Sequence, residues 1–169
     1  MALPNKTTSV SQRRIDKSKP TAVFLVKGIG AALHTILWVE RMFPKHFHNY
    51  VFVSYGWVDT GSFGSDIALE RLQKHVDKTV EYLTHFSQSH GIATTSIKEY
   101  GANPIEAVSE IAASINQDYD NAVFFASRYV YREDLLINRY LHSDFSMMVQ
   151  RQLQNIGTKI LIVPLKLDT

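Results

Sequence analysis

Apolar positions gather in five short runs, and between the runs they recur every three or four residues, the alternation of strand with helix. In the first run, Thr21 to Val26, five of six residues are apolar, as in a strand covered on both faces. Gly28 and Gly30 then predict a tight turn into a helix over Ala31 to Phe43. At 100° per residue, Ala32, Ile36, Val39 and Phe43 fall on one face of that helix and should meet the sheet. His34, Trp38, Arg41 and Lys45 fall opposite. Trp38 there reads either as a contact for a partner or as a ring covered by a neighbouring loop or terminus.

Tyr50 to Tyr55 predicts the second strand. Gly56 to Asp66 follows as a loop with three glycines and two aspartates, a composition that marks functional or mobile segments. Ser65 or Asp66 can cap the next helix, whose stripe is Leu69, Leu72, Val76, Val80, Leu83 and Phe86, ending at Gly91. Ile92 to Tyr100 is a more polar strand, placed at an edge. Asn103, Pro104 and Glu106 fit N-cap, N1 and N3 of a third helix, with the carboxylate returning a capping bond; Ile105, Val108, Ile111 and Ile115 form its buried side. Ala122 to Ala126 is the fourth strand, and the charged and aromatic segment Ser127 to Asp134 leads into a helix. There Leu141, Phe145, Met148, Gln152 and Ile156 keep helical spacing toward Gly157, and Lys159 to Pro164 is the last strand.

Five strands alternating with four helical segments predict an α/β fold: a three-layer open parallel five-stranded sheet with right-handed crossovers, Rossmann-like in the wide sense. The expected strand order is 3-2-1-4-5, which sets the first and fourth strands side by side and the switch point between their carboxyl ends. Residues 20–169 read as one domain, and 1–19 as a flexible basic leader. That leader explains the charge. The net charge is +2, but Lys6, Arg13, Arg14, Lys17 and Lys19 against Asp16 give residues 1–20 a balance of +4, leaving −2 for the rest. Such a segment is either a solvated tail or one lying near anionic lipid. Cysteine is absent, which excludes disulfides, thiolate metal sites and a cysteine nucleophile. A cytoplasmic setting and no nucleic-acid partner are expected.

Two stretches carry a resemblance. LVKGIGAALHTILWVERMFPKHFHNYVFVS with DTGSF, within Thr21 to Asp66, and the endings NAVFFASRYVYRED and FSMMVQRQLQNIGTKILIVPL resemble the cytoplasmic C-terminal domain of some bacterial amino acid–polyamine–organocation transporters. That domain is similar in fold to universal stress proteins, which supports the order 3-2-1-4-5. The resemblance implies a regulatory or assembly domain at the inner face of the cell membrane, partnered by a membrane-embedded transporter domain and forming a homodimer. Basic residues just cytoplasmic of a membrane helix also fit the positive-inside rule. The chain departs from the family pattern at Tyr55, Gly56 and Trp57, where two bulky rings reshape the loop or fill the pocket. It also lacks the spaced glycines, after the fourth strand, of universal stress proteins that bind ATP.

Candidate chemistry converges on the switch point. A Gly-x-Gly turn before a helix offers N–H groups and a positive dipole end to an anion. Lys27, Gly28, Gly30 and Arg128 form the phosphate side of this reading, Trp57 or Tyr129 would stack on a base, and Ser54, Gly56, Asp59 and Ser127 complete the walls. No cofactor is certain from the sequence; a nucleotide such as ATP, AMP or cyclic di-AMP is the candidate ligand. Catalysis is not expected: Ser127 lies in FFASRYV and not in a nucleophile elbow, and His46 with His48 lacks a nearby carboxylate or cysteine for a metal. Three readings remain: a transporter regulatory domain, a stand-alone universal-stress-like nucleotide binder, and a nucleotide-dependent enzyme.

Overall fold

The computed structural model describes residues 13–58, 66–130 and 145–166. Its elements are β1 (Thr21–Val26), α1 (Ile29–Met42), β2 (Asn49–Trp57), α2 (Asp66–Ser89), β3 (Ala93–Gly101), α3 (Pro104–Asp118), β4 (Ala122–Val130), α4 (Phe145–Asn155) and β5 (Ile160–Lys166). The strands form one parallel sheet in the order β3-β2-β1-β4-β5. The expected fold class and order are therefore observed, with polar β3 at one edge. Pro164 lies in β5 at the other edge, where a missing N–H leaves no ladder bond unmade.

Alternation along the strands divides the core into two layers. Val23, Val51, Val53 and Phe124 pack with Val108, Ile111 and Ile115 of α3 and Val149 and Leu153 of α4. Ala22, Phe24, Tyr50, Phe52 and Phe125 pack on the other face with Ile36 and Val39 of α1 and Leu83 of α2. Phe24 is the hub of this second layer. Its ring lies 5.0 Å from Tyr50, edge-on, and stacks at 5.5 Å from Phe52 and 5.7 Å from Phe125. Each such pair contributes about 0.5–1.5 kcal/mol beyond area burial.

Helix ends follow the sequence closely. Gly91 and Gly157 adopt positive φ after α2 and α4, the left-handed C-terminal stop that glycine permits. Asn103 caps α3, its side chain accepting from the Glu106 N–H. The Glu106 carboxylate meets the Asn103 side-chain amide at 2.5 Å, not the backbone N–H expected of a capping box. The α2 stripe buries Val76, Val80 and Leu83 as its spacing predicts.

Four expectations change. First, β2 continues through Gly56 to Trp57, because its ladder with β3 runs on to the Trp57–Gly101 pair; Gly56 is a strand residue and not the start of a loop. Second, β4 continues through Ser127, Arg128 and Tyr129 to Val130, paired with β5 as far as Lys166. Third, α4 buries Val149 and Leu153 while Met148, Gln152 and Ile156 are exposed. The two rows lie one residue apart and both contain apolar side chains, so periodicity alone selected the wrong one; Leu141 lies outside the described residues. Fourth, Phe43 caps α1 and is exposed, whereas Ala31 and Thr35 join Ala32, Ile36 and Val39 on the buried face.

The end of the leader lies against the amino edge of the sheet. Ile15 packs on the first core layer. Buried Asn49 donates from Nδ2 to the Asp16 carbonyl at 2.7 Å and to Thr21 Oγ1 at 2.8 Å, and its Oδ1 accepts the Asp16 N–H at 3.1 Å. Lys17 pairs with Asp118 at 3.3 Å and lies 5.5 Å from the Tyr119 ring.

Gly56 has a packing role. A Cβ there would stand 2.4 Å from Tyr100 Cδ1 and 3.2 Å from Leu72 Cδ2. Gly56→Ala is therefore expected to cost about 1–3 kcal/mol by overpacking, read as a lower urea midpoint with an unchanged m-value. A midpoint equal to wild type would show that Tyr100 moves aside freely.

Candidate functional site

From β1 the chain passes to β2 on one side, while β4, its other neighbour, passes on to β5. The carboxyl ends of β1 and β4 therefore flank the point where strand order reverses, the usual place for a ligand in an open α/β sheet. α1 begins there. Gly28 caps it in extended geometry (φ −155°, ψ 162°), with no side-chain capping bond and no acidic residue in the first turn. The first N–H groups of any α-helix lack intrahelical partners, and here no capping side chain takes one.

The glycines act differently from the expectation of a tight turn. Gly28 has a backbone that any residue adopts, and Gly30 lies inside the first turn of α1. Neither has a positive φ. A Cβ at either position would meet nothing within 4 Å. They leave the amino end of α1 open to approach.

Lys27 and Ser127 line one crevice at this point, together with Leu25, Val53 and Tyr55, and its enclosed space is about 40 Å³. That volume holds about one water molecule. Tyr55, one of the two bulky rings, forms part of the crevice lining. Its phenol oxygen lies over Gly101, 2.5 Å from where a Cβ would stand, and the Asn103 backbone hydrogen-bonds to it. Burial pushes the Tyr55 phenol up from its ordinary pKa. Burial also holds the Lys27 ammonium below the ordinary lysine range, although the residue keeps an exposed surface. An anion beside Lys27 would favour its charged form.

Other expected site residues lie apart. Ser54 is on the α1 and α2 face, its hydroxyl donating to the Val26 carbonyl at 3.4 Å, and Gly56 lies under Tyr100 on that same side. Strand alternation sends Ser54 and Gly56 opposite to Tyr55, so these two do not share the crevice with Lys27. Trp57 is 64% exposed at the end of β2. Arg128 is half-buried in β4, opposite Pro164. Tyr129 belongs to β4 but its side chain, like the whole of Asp59, lies outside the described residues. Trp38 is half-buried against the second core layer, edge-on to Phe43 at 6.2 Å. The exposed apolar side chains of α1 are Leu37 and Met42. Leu25, Val108 and Val149, which also line the crevice, were not among the expected residues. The signal for this wall was the shared parity of Val51, Val53 and Tyr55.

No protein-family model matches the chain, and no curated protein matches it at a significant level. Solved structures do match. A protein from the universal stress protein family of Burkholderia pseudomallei aligns with a TM-score of 0.57 at 14% identity, over 86% of this chain and 96% of its own. A second structure, of a protein described as hypothetical, aligns with a TM-score of 0.58 at 14% identity, over 89% and 98%. The fold is universal-stress-protein-like. A universal stress protein in complex with cAMP aligns over 87% of this chain and 98% of its own at 14% identity, with a TM-score of 0.45. Among the described residues no helix is long and apolar enough to cross a membrane.

The open surroundings of Gly30 predict that Gly30→Ala stabilises the fold by about 0.5–1 kcal/mol, since alanine loses less backbone entropy on entering a helix. Thermal and urea unfolding measure it. Destabilisation would mean that the backbone at α1 is approached more closely than the geometry indicates.

Proposed function

We propose that this chain is a non-catalytic regulatory domain that takes a small anionic ligand, a nucleotide by class, at the carboxyl ends of β1 and β4 and reports its occupancy to a membrane transporter. The observation that carries the binding reading is the convergence of Lys27 and Ser127 in one crevice, beside an α1 amino end with no side-chain cap and no first-turn carboxylate. Lysine charge, a hydroxyl and helix N–H groups are the parts from which phosphate sites are assembled. The enclosed crevice is far below the 300–1,000 Å³ of ordinary ligand pockets. The ligand therefore lies over the open ground at Gly28 and Gly30, with Lys27 at its edge, and not inside the space beside Tyr55.

The transporter partner rests on the sequence resemblance and the basic leader. The geometry adds that Lys17 and Lys19 lie at the amino edge of the sheet, with Asp16 and Lys17 bound to Asn49 and Asp118. The crevice is at the opposite edge. A domain held near a membrane by its leader would present the ligand site away from the lipid. The alternative, a stand-alone universal-stress-like nucleotide binder, is favoured by two solved structures of similar fold, which this chain spans over 96% and 98% of their lengths.

Native mass spectrometry with ATP, AMP and cyclic di-AMP tests the binding reading. A 1:1 adduct with at least one of them is expected, and Lys27→Glu should weaken it by at least about tenfold, equivalent to 1.4 kcal/mol. No adduct, or one indifferent to Lys27→Glu, contradicts the assignment. Co-purification of a permease with the tagged chain from solubilised membranes separates the regulatory domain from the stand-alone binder.

A further inference from the structure

We propose a second binding site, for a planar aromatic anion, at the amino edge of the sheet between the α1–β2 connection and the β4–β5 edge. A hollow of about 470 Å³ opens there, lined by Phe43, His46, Phe47, Phe125, Lys159 and Leu161 among others. It shares no lining residue with the crevice at Lys27. Its volume lies within the range of small-molecule pockets.

The wall is aromatic and fixed. Phe47 lies edge-on to Phe43 at 6.1 Å, to Phe125 at 5.7 Å and to His46 at 4.8 Å. The connection that carries these rings is pinned at both ends, by His46 N–H to the Phe43 carbonyl at 3.2 Å and by His48 N–H to the Pro20 carbonyl at 2.9 Å. Within the turn from Phe43 to His46, Lys45 adopts φ 56°, the one positive φ at a non-glycine among the described residues. A left-handed backbone is unfavourable for a lysine, and the turn that it makes leads directly into His46 and Phe47 of the wall. Strain of this kind is concentrated at ligand sites.

Chemistry selects the ligand. Phe43 and Leu161 remain 37% and 42% exposed beside the hollow, an apolar surface that a flat ring would cover. None of the described lining residues is acidic, and Lys159 is basic. Ring faces alone would also attract a cation, but without a carboxylate Lys159 repels it. The site therefore takes a ring that carries a carboxylate or sulfonate.

Titration of the methyl-labelled full chain with 2-naphthoate, followed by NMR, tests the site. Saturable shifts are expected at the methyls of Val123, Ile160 and Leu161. The cation 2-naphthylmethylammonium should bind at least about tenfold more weakly, and Lys159→Glu should weaken 2-naphthoate by a similar factor with distant methyl signals unchanged. Absence of saturation, equal affinity for the cation, indifference to Lys159→Glu, or shifts centred elsewhere would each overturn the proposal. Self-association of the chain through this hollow in place of ligand uptake would overturn it too.

Discussion

The fold depends on β1 being paired along both edges and covered on both faces. Its partners are β2 on one side and β4 on the other, and its side chains alternate between the two core layers, Val23 into one and Phe24 into the other. A strand in that position has no exposed backbone edge and no face where a polar side chain is inexpensive. The first charged side chain, Lys27, stands just past the carboxyl end of the strand. The same constraint that makes β1 apolar thus sets a lysine at the carboxyl edge, next to the amino end of α1.

The two edges of the sheet have different chemistry. At the carboxyl edge a lysine, a hydroxyl and a helix start meet around a small crevice lined in part by Tyr55. At the amino edge the leader is tied down through Asn49, and an aromatic connection held by a left-handed lysine faces a hollow beside β5. In the proposed reading, binding at the carboxyl edge is a surface event at α1, and the second proposed ligand site lies at the other end of the sheet.

Much of this was legible in the sequence because burial writes itself into periodicity. Five apolar runs with helical spacing between them gave the elements, whereas their order in the sheet is not written in that pattern and rested on the resemblance to the universal-stress fold; Asn103-Pro104 and Gly91 marked helix ends through local backbone chemistry alone. The site was less legible. Ser54 and Gly56 were grouped with Lys27 by proximity along the chain, yet strand alternation sends them to the other face. Gly28 and Gly30 resembled a tight turn, but an extended φ and empty surroundings show a helix start that glycine leaves uncovered. The α4 stripe was misread by one residue, since Met148 and Ile156 are as apolar as Val149 and Leu153. The aromatic hollow left no periodic signature: its rings come from the α1–β2 connection and from the interior of β4, with aliphatic side chains from β5, and only tertiary structure assembles them.

The most direct measurement is amide NMR of the full chain during titration with ATP. The account predicts saturable shifts concentrated at Lys27, Gly28, Ile29, Gly30 and Ala31, with Ser127 following, because the phosphates would lie on the first turn of α1. No saturable change at those amides, or a response confined to other parts of the sheet, would contradict it.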